Sequence, residues 1–314
     1  MQNIDFQYNR IWLIAVALCA GCAAGSTTSG TFAPGTGASG AATTRHSSWI
    51  QPDAKKKPLL YVSSVLSNDV YVYSYADQKL VGTLTGFEEP YGLCADKTGN
   101  VWIVDDGHQQ IVEYKHGGAS PIATLSDPGE YPEGCSVDPT TGNLAVTNFY
   151  STSGNGSLSI YAHASGEPTT YSDPSIANFR FCGYDNKGTL FADGANNSSE
   201  FAFAELPKGG SSLTNITLQQ NIEWPGGVQW DGKYVAVGDT DAGIIYRTNG
   251  AGGKVKGSAT LGDSDYVNQF WIAGKTVVAP SQDGSNVGLY TYPAGGAPKK
   301  TISVEEPFGA VLSK

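Results

Sequence analysis

Residues 90–105 read Pro-Tyr-Gly-Leu-Cys-Ala-Asp-Lys-Thr-Gly-Asn-Val-Trp-Ile-Val-Asp. A short apolar stretch introduced by Pro-x-Gly is followed by polar residues and a second apolar stretch. The same frame recurs at residues 132–146, PEGCSVDPTTGNLAV. Working outward, cuts before Pro58, Val101, Leu144, Leu190, Tyr234 and Thr276 divide residues 58–314 into six segments of 39 to 46 residues. Each segment opens with a short apolar strand, such as Leu59-Leu60-Tyr61-Val62. A polar loop and an alternating second strand follow, with Tyr73, Tyr114, Tyr161, Tyr246 and Tyr290 at one aligned position and Ala204 in the fourth segment. A Gly-rich turn leads to a Thr/Val-rich third strand. The fourth strand begins with Pro-x-Gly at Pro90, Pro132, Pro225 and Pro307; Phe179-Arg180-Phe181 and Asn268-Gln269-Phe270 replace it in the third and fifth segments. Four short strands per repeat, six times over, predict an all-β, six-bladed β-propeller with four antiparallel strands per blade. No segment sustains a 3.6-residue apolar period, so helical repeats are disfavoured.

Composition agrees. Of 314 residues, 40 are glycine and 15% are charged, and acidic side chains outnumber basic ones 29 to 19. High Gly and Tyr with a single Met suits strands and turns. Residues 58–314 alone hold 27 acidic and 14 basic side chains. An acidic body lacks the basic face that phosphate contacts need, so nucleic acid is not an expected partner. A monomer is expected.

The stretch from Pro90 to Asp105 resembles an NHL repeat, and the likeness extends over residues 58–314, weakening in the middle segments. The resemblance implies that Pro-x-Gly starts the innermost strand of each blade. It also implies a ring closed by pairing the N-terminal strand, Leu59 to Val62, with the C-terminal inner strand, Pro307 to Ser313.

The first residues read as a leader. Arg10 precedes the apolar run Ile11 to Cys19, which is too short to span a bilayer. Cys19-Ala20-Gly21-Cys22 resembles the lipobox of bacterial lipoproteins, with Cys19 where that family has Leu. The resemblance implies cleavage after residue 21 and acylation of Cys22; otherwise the leader is a secretory signal cut nearby. Of the 22 residues from Ala23 to Thr44, 20 are Ala, Gly, Ser or Thr, a composition suited to a flexible tether. Arg45 and Lys55-Lys56-Lys57 give it a basic end. The expected organisation is a lipoprotein-type signal at 1–22, a tether at 23–57 and a propeller at 58–314. The protein is expected to be exported and held by its lipid in the bacterial cell envelope.

In this frame the second residue of each inner strand rings the central opening: Tyr91, Glu133, Arg180, Gly226, Gln269 and Phe308. The loops on the same face hold Glu88, Glu89, Glu130, Tyr131, Trp224, Asp265, Tyr266, Asp105, Asp106, His108, Asn148 and Asp241, among others. Such an acidic, aromatic face suits a cation, a glycan, or a basic or aromatic peptide or protein. It serves equally as solubilising charge over aromatic caps. The candidate ligand-binding set is Tyr91, Glu133, Arg180, Trp224, Gln269 and Phe308. Glu133 and Arg180 occupy equivalent places in neighbouring blades and are expected to pair.

Pro132-Glu133-Gly134 is also similar to a ligand-bearing element of the SMP-30/gluconolactonase family. That resemblance implies an alternative, a metal-dependent lactonase with a divalent cation at the opening. Only Glu133 and Gln269 supply suitable oxygens there beyond a Tyr hydroxyl, and Arg180 opposes a cation. No cofactor is expected, and no catalytic residue can be assigned, because nucleophile elbows, phosphate loops and paired histidines are absent from the sequence. A structural envelope component without a small ligand is the third reading. Cys94, Cys135 and Cys182 all fall in inner strands. Cys94 and Cys135 could meet as a disulfide, or stand as small buried thiols.

Overall fold

The computed structural model describes residues 47–314. The leader, Cys22 and most of the tether lie outside the described residues. The remainder is a six-bladed β-propeller of antiparallel sheets, five with four strands and one with five. Blades two to six follow one another along the chain. Their inner strands are Pro90–Ala95, Glu130–Val137, Asn178–Tyr184, Pro225–Trp230 and Trp271–Ala273. Blade one is shared between the two ends of the chain. Its inner strand is Pro307–Ser313, paired with Leu59–Ser64 through Leu59↔Ser313 and Tyr61↔Val311. Asp69–Ser74 and Leu80–Leu84 complete its four strands. Closure in this way removes the unpaired inner edge an open ring would expose.

The N-terminal boundary differs from the sequence expectation. Residues 49–57, read as the end of the tether, belong to the fold. Trp49–Ile50 adds a fifth strand to blade one, opposite Thr83 and Gly82. Ile50 packs against the core cluster of blades one and two, and Ala54 is part of it. Burying the apolar side chains of Ile50 and Ala54 gives this otherwise polar segment something to hold, whereas residues 23–44 are almost entirely Ala, Gly, Ser and Thr.

The tyrosine repeat holds in four blades and shifts in two. Tyr73, Tyr114, Tyr161 and Tyr290 pair with Leu60, Val101, Leu144 and Val277 at equivalent places. In blade five that place, opposite Val235, belongs to Thr248, and Tyr246 sits two residues earlier. Leu206 takes it in blade four, rather than Ala204. A two-residue shift keeps the side chain on the same sheet face, so each position stays buried.

Inner strands crowd the axis. A Cβ on Gly92 would lie 2.6 Å from the Glu133 carbonyl, and one on Gly134 2.7 Å from the Arg180 carbonyl. In each case the glycine of Pro-x-Gly faces the backbone of the middle residue in the next blade. Hydroxyls on the second strands satisfy the groups this leaves. Thr147 accepts from the Gly134 N–H at 3.0 Å and donates to the Arg180 carbonyl at 2.6 Å. Ser63 does the same for Gly309 and Tyr91, at 2.9 and 2.5 Å.

Cys94 and Cys135 form a disulfide between the inner strands of blades two and three. Cys182 is a free, buried thiol. The bond closes a loop of 41 residues. Loop-closure entropy gives such a link about 3–4 kcal/mol of stabilisation. Reduction, or paired Cys94→Ser and Cys135→Ser substitution, should lower the unfolding free energy by about that amount. Urea unfolding with and without reductant measures it, and an unchanged midpoint would show the link to be energetically idle.

Candidate functional site

The six inner strands all start on one face, called the upper face here. The sequence-predicted ring meets at the axis, but it does not line an open channel. One half is apolar. The Tyr91 and Phe308 rings are 4.6 Å apart, and Phe308 reaches across the axis to Phe181 at 6.0 Å. The other half is ionic. Arg180 Nε and Nη2 donate to Glu133 Oε1 at 2.8 and 2.5 Å, and both side chains are buried. Nη2 also donates to Asn268 Oδ1 at 2.9 Å, and Nη1 to the Pro225 carbonyl at 3.3 Å. The guanidinium carbon lies 5.4 to 5.8 Å from the ring centres of Phe181, Trp224 and Phe149. One arginine thus joins blades three, four, five and six.

Burial pushes the Glu133 carboxyl up, while the Arg180 charge and its hydrogen bonds pull it back. The pair is held as ions by mutual neutralisation in a site with little water. The Arg180 charge also opposes any axial cation that would use Glu133 as a ligand. Among the described residues, no group of three or more His, Cys, Asp or Glu side chains stands together as a metal site.

Gln269 plays a different part from the one its position suggested. Its amide accepts from the Leu93 N–H at 3.0 Å and donates to the Leu93 carbonyl at 2.9 Å. It passes beneath Gly309, whose Cβ would fall 2.5 Å from Gln269 Oε1. Blade six is thereby tied to blade two across blade one, and the side chain is committed to backbone. Trp224 lies half-buried beside Arg180 with its indole N–H unpartnered.

Above the axis the surface is acidic. The upper-face loops contain no Lys or Arg among the described residues, whereas carboxylates recur in every blade. Every described lysine lies in the lower-face loops, the N-terminal segment, the outer strands or, for Lys314, at the lower end of the inner strand Pro307–Ser313. Asp105 is fully buried and gathers the loop of blade two. It accepts from the Glu88 N–H at 2.8 Å and from Gln110 at 2.7 Å, and its Oδ2 lies 2.9 Å from His108 Nδ1. Asp106, next to it, is pushed up to about 8 by burial and by the charges of Glu89, Glu133 and Asp105.

Blade three has longer strands than blade two. Its first three strands, Glu130–Val137, Leu144–Ser151 and Gly154–Tyr161, have eight residues each, against five or six in blade two. The extra length carries Tyr131 and Tyr150 as cross-strand partners, 41% and 44% exposed. Phe149 meets Tyr150 edge-on at 4.5 Å and reaches the Arg180 guanidinium. An aromatic path therefore runs from an exposed rim to the axis. Phe149, Tyr150 and Asn268 were not picked out from sequence. The adjacency of Phe149 and Tyr150 to Asn148, already placed in that loop, was the available signal.

No family model and no curated protein matches the sequence. Solved structures do match in fold. A chain of a nidogen/laminin complex superposes with a TM-score of 0.69 at 14% identity, over 82% of this chain and 98% of that one. A protein of unknown function from Bacteroides caccae gives 0.64 at 12%, over 82% and 99%. Streptogramin B lyase gives 0.52 at 12%, over 80% and 74%. At such identities the likeness extends to the propeller fold and no further.

Two measurements test the axis. Glu133→Ala strands a buried guanidinium and should cost about 3–5 kcal/mol in denaturant unfolding. The double variant Glu133→Leu, Arg180→Met should recover much of that loss, because both charges leave together. Asp106 supplies a pH signature. Its folded value near 8 exceeds the ordinary carboxylate value, so the folded state holds a proton the unfolded state has lost. Its contribution to stability therefore falls as pH rises from about 4 to about 8. Asp106→Asn should flatten that decline; an identical pH profile in the variant would assign the proton elsewhere.

Proposed function

We propose that the protein is an exported, lipid-anchored, non-enzymatic propeller that captures a partner on its upper face. The observation that carries this reading is the combination of the exposed Tyr131–Tyr150 pair with an upper face that has carboxylates and no lysine. Aromatic faces suit sugar rings and cationic side chains, and the surrounding charge selects against anions. The partner class that fits best is a basic, aromatic-containing peptide segment or a neutral glycan. The axis supports binding rather than turnover. Its polar groups are engaged with one another, and Arg180 stands where an SMP-30-type metal would be needed.

Export and anchoring draw support from two further features. The Cys94–Cys135 disulfide belongs in an oxidising compartment. The Ala/Gly/Ser/Thr-rich segment behind Cys22 has the composition of a spacer between an anchor and a folded body.

Isothermal titration of the purified protein with arginine- and tryptophan-containing peptides, and with neutral oligosaccharides, tests the binding reading. A bound probe should lose about tenfold in affinity on Tyr150→Ala, in keeping with the worth of one aromatic contact. Lys233→Ala on the lower face should leave it unchanged. Equal affinity in the Tyr131→Ala, Tyr150→Ala double variant would remove the proposed surface. Steady hydrolysis of a sugar lactone, dependent on Glu133, would instead establish the lactonase alternative.

A further inference from the structure

One buried polar cluster lies away from the axis, between blades two and three on the upper side. Asp127 enters it from the loop after Pro121–Ser126, the outer strand of blade two. Glu130, Asn148, Ser157 and Ser159 come from the first three strands of blade three. The groups are linked at close range. Asn148 Nδ2 donates to Ser157 Oγ at 3.0 Å and Ser159 Oγ at 3.1 Å. Ser157 donates to Glu130 Oε2 at 3.0 Å, and Ser159 donates to Asp127 Oδ1 at 3.4 Å.

Two oxygens in this cluster are left over. Asp127 Oδ2 and Asn148 Oδ1 are both buried and have no hydrogen-bond partner. Asp127 is 3% exposed and Asn148 fully buried. Among the described residues, no Lys, Arg or His lies within ion-pair distance of Asp127 or Glu130. A buried carboxylate without a counter-charge is costly. Either it carries a proton or it receives a cation. Burial pushes both carboxyls up, and the Asp127 charge adds to the effect on Glu130.

The geometry points to a calcium site formed by Asp127, Glu130, Asn148, Ser157 and Ser159. The donors are all oxygen, which selects a hard cation over zinc or copper. Carboxylate, amide and hydroxyl oxygens contributed by irregularly spaced residues suit the flexible coordination of calcium. Magnesium demands near-octahedral geometry and keeps several waters, for which a buried interblade cluster has little room. The Asn148 amide can turn either end toward the ion, because its orientation follows its surroundings. Three of the five donors are neutral, so the cluster does not stand out as a group of acidic or histidine ligands. Glu130 precedes Tyr131, and a bound ion would fix the strand that carries the exposed aromatic pair. The site itself does not depend on what that pair binds.

Thermal unfolding of the full chain in EDTA, in magnesium chloride and in calcium chloride tests the assignment. Calcium should raise Tm by several degrees over EDTA, and magnesium by less. Terbium should bind with luminescence sensitised by the nearby Tyr161 and be displaced by calcium. Asp127→Asn should abolish the calcium increment without lowering Tm in EDTA, because it removes the unpaired buried charge. Glu130→Gln, a milder change at a half-buried position, should weaken calcium about tenfold by terbium displacement. Equal wild-type Tm in calcium and EDTA overturns the site. So does a calcium increment that survives the Asp127→Asn, Glu130→Gln double variant. A Tm that rises on acidification with no response to calcium would make Asp127 a buried acid and likewise overturn it.

Discussion

Everything in this molecule hangs on how closely six inner strands can approach one axis. At Gly92 and Gly134 a single carbon atom would collide with the backbone of the next blade. That approach breaks the regular ladder, and the register shifts at the start of the inner strands show where. Each shift frees an N–H on one strand and a carbonyl on the next. Ser63 and Thr147 satisfy both at once, bonding within their own blade and to its neighbour. Asp193 occupies the same place in blade four and accepts from the Phe181 N–H at 2.9 Å. Its second oxygen is buried without a partner, and burial holds its carboxyl well above the usual range. A neutral acid here would resemble the hydroxyls, accepting through one oxygen and donating through the other.

The same crowding explains the two blades that break the Pro-x-Gly pattern. Where blades four and six put Phe181 and Phe270 in place of glycine, the rings turn back onto glycines of the preceding blade. Phe181 lies against Gly134, and Phe270 against Gly227 and Gly238. Space given up by one blade is filled by the next. The axis that results is packed with side chains, which moves any binding outward to the rim.

Much of this was legible because a repeat makes each blade a template for the others. The strand count and the Glu133–Arg180 pairing follow from aligning six segments, since equivalent positions in neighbouring blades must lie side by side; the ring closure came with the resemblance to NHL repeats. What could not be aligned could not be read. Gln269 sits in the ring by register, yet a side chain long enough to pass under Gly309 spends itself on Leu93. The alternatives for Cys94 and Cys135 differ only in whether two adjacent inner strands bring the sulfurs into bonding distance, a tertiary quantity. Trp49–Ile50 lies ahead of the repeat, and two residues carry no period. The third segment, which carries three of the strands of blade three, is the longest in sequence, but length alone does not say whether the extra residues extend strands or loops. The interblade cluster around Asp127 draws donors from one loop of blade two and three strands of blade three, so no local motif marks it.

The charge distribution follows from turn chemistry on opposite faces. Lower-face turns joining inner and second strands are short Asp-led turns. Asp96, Asp138, Asp185 and Asp231 each accept backbone N–H groups from their own turn, and Lys97, Lys187 and Lys233 follow within two residues of theirs. The lower carboxylates are thus spent on structure and offset by neighbouring lysines. Upper-face carboxylates have no such partners. Apart from Glu133, which Arg180 neutralises, they depend on loop N–H groups, as Asp105 and Asp239 do, on side chains such as His108 beside Asp105 and Ser157 beside Glu130, or on solvent. Unbalanced negative charge concentrated on one face raises the local concentration of cations there. At Asp106 the charges of Glu89, Glu133 and Asp105 add to burial in pushing the carboxyl up. A face that repels its own charge gains most from a cationic or proton-bearing partner. Under the function proposed above, the aromatic rim beside it is the surface on which such a partner would rest.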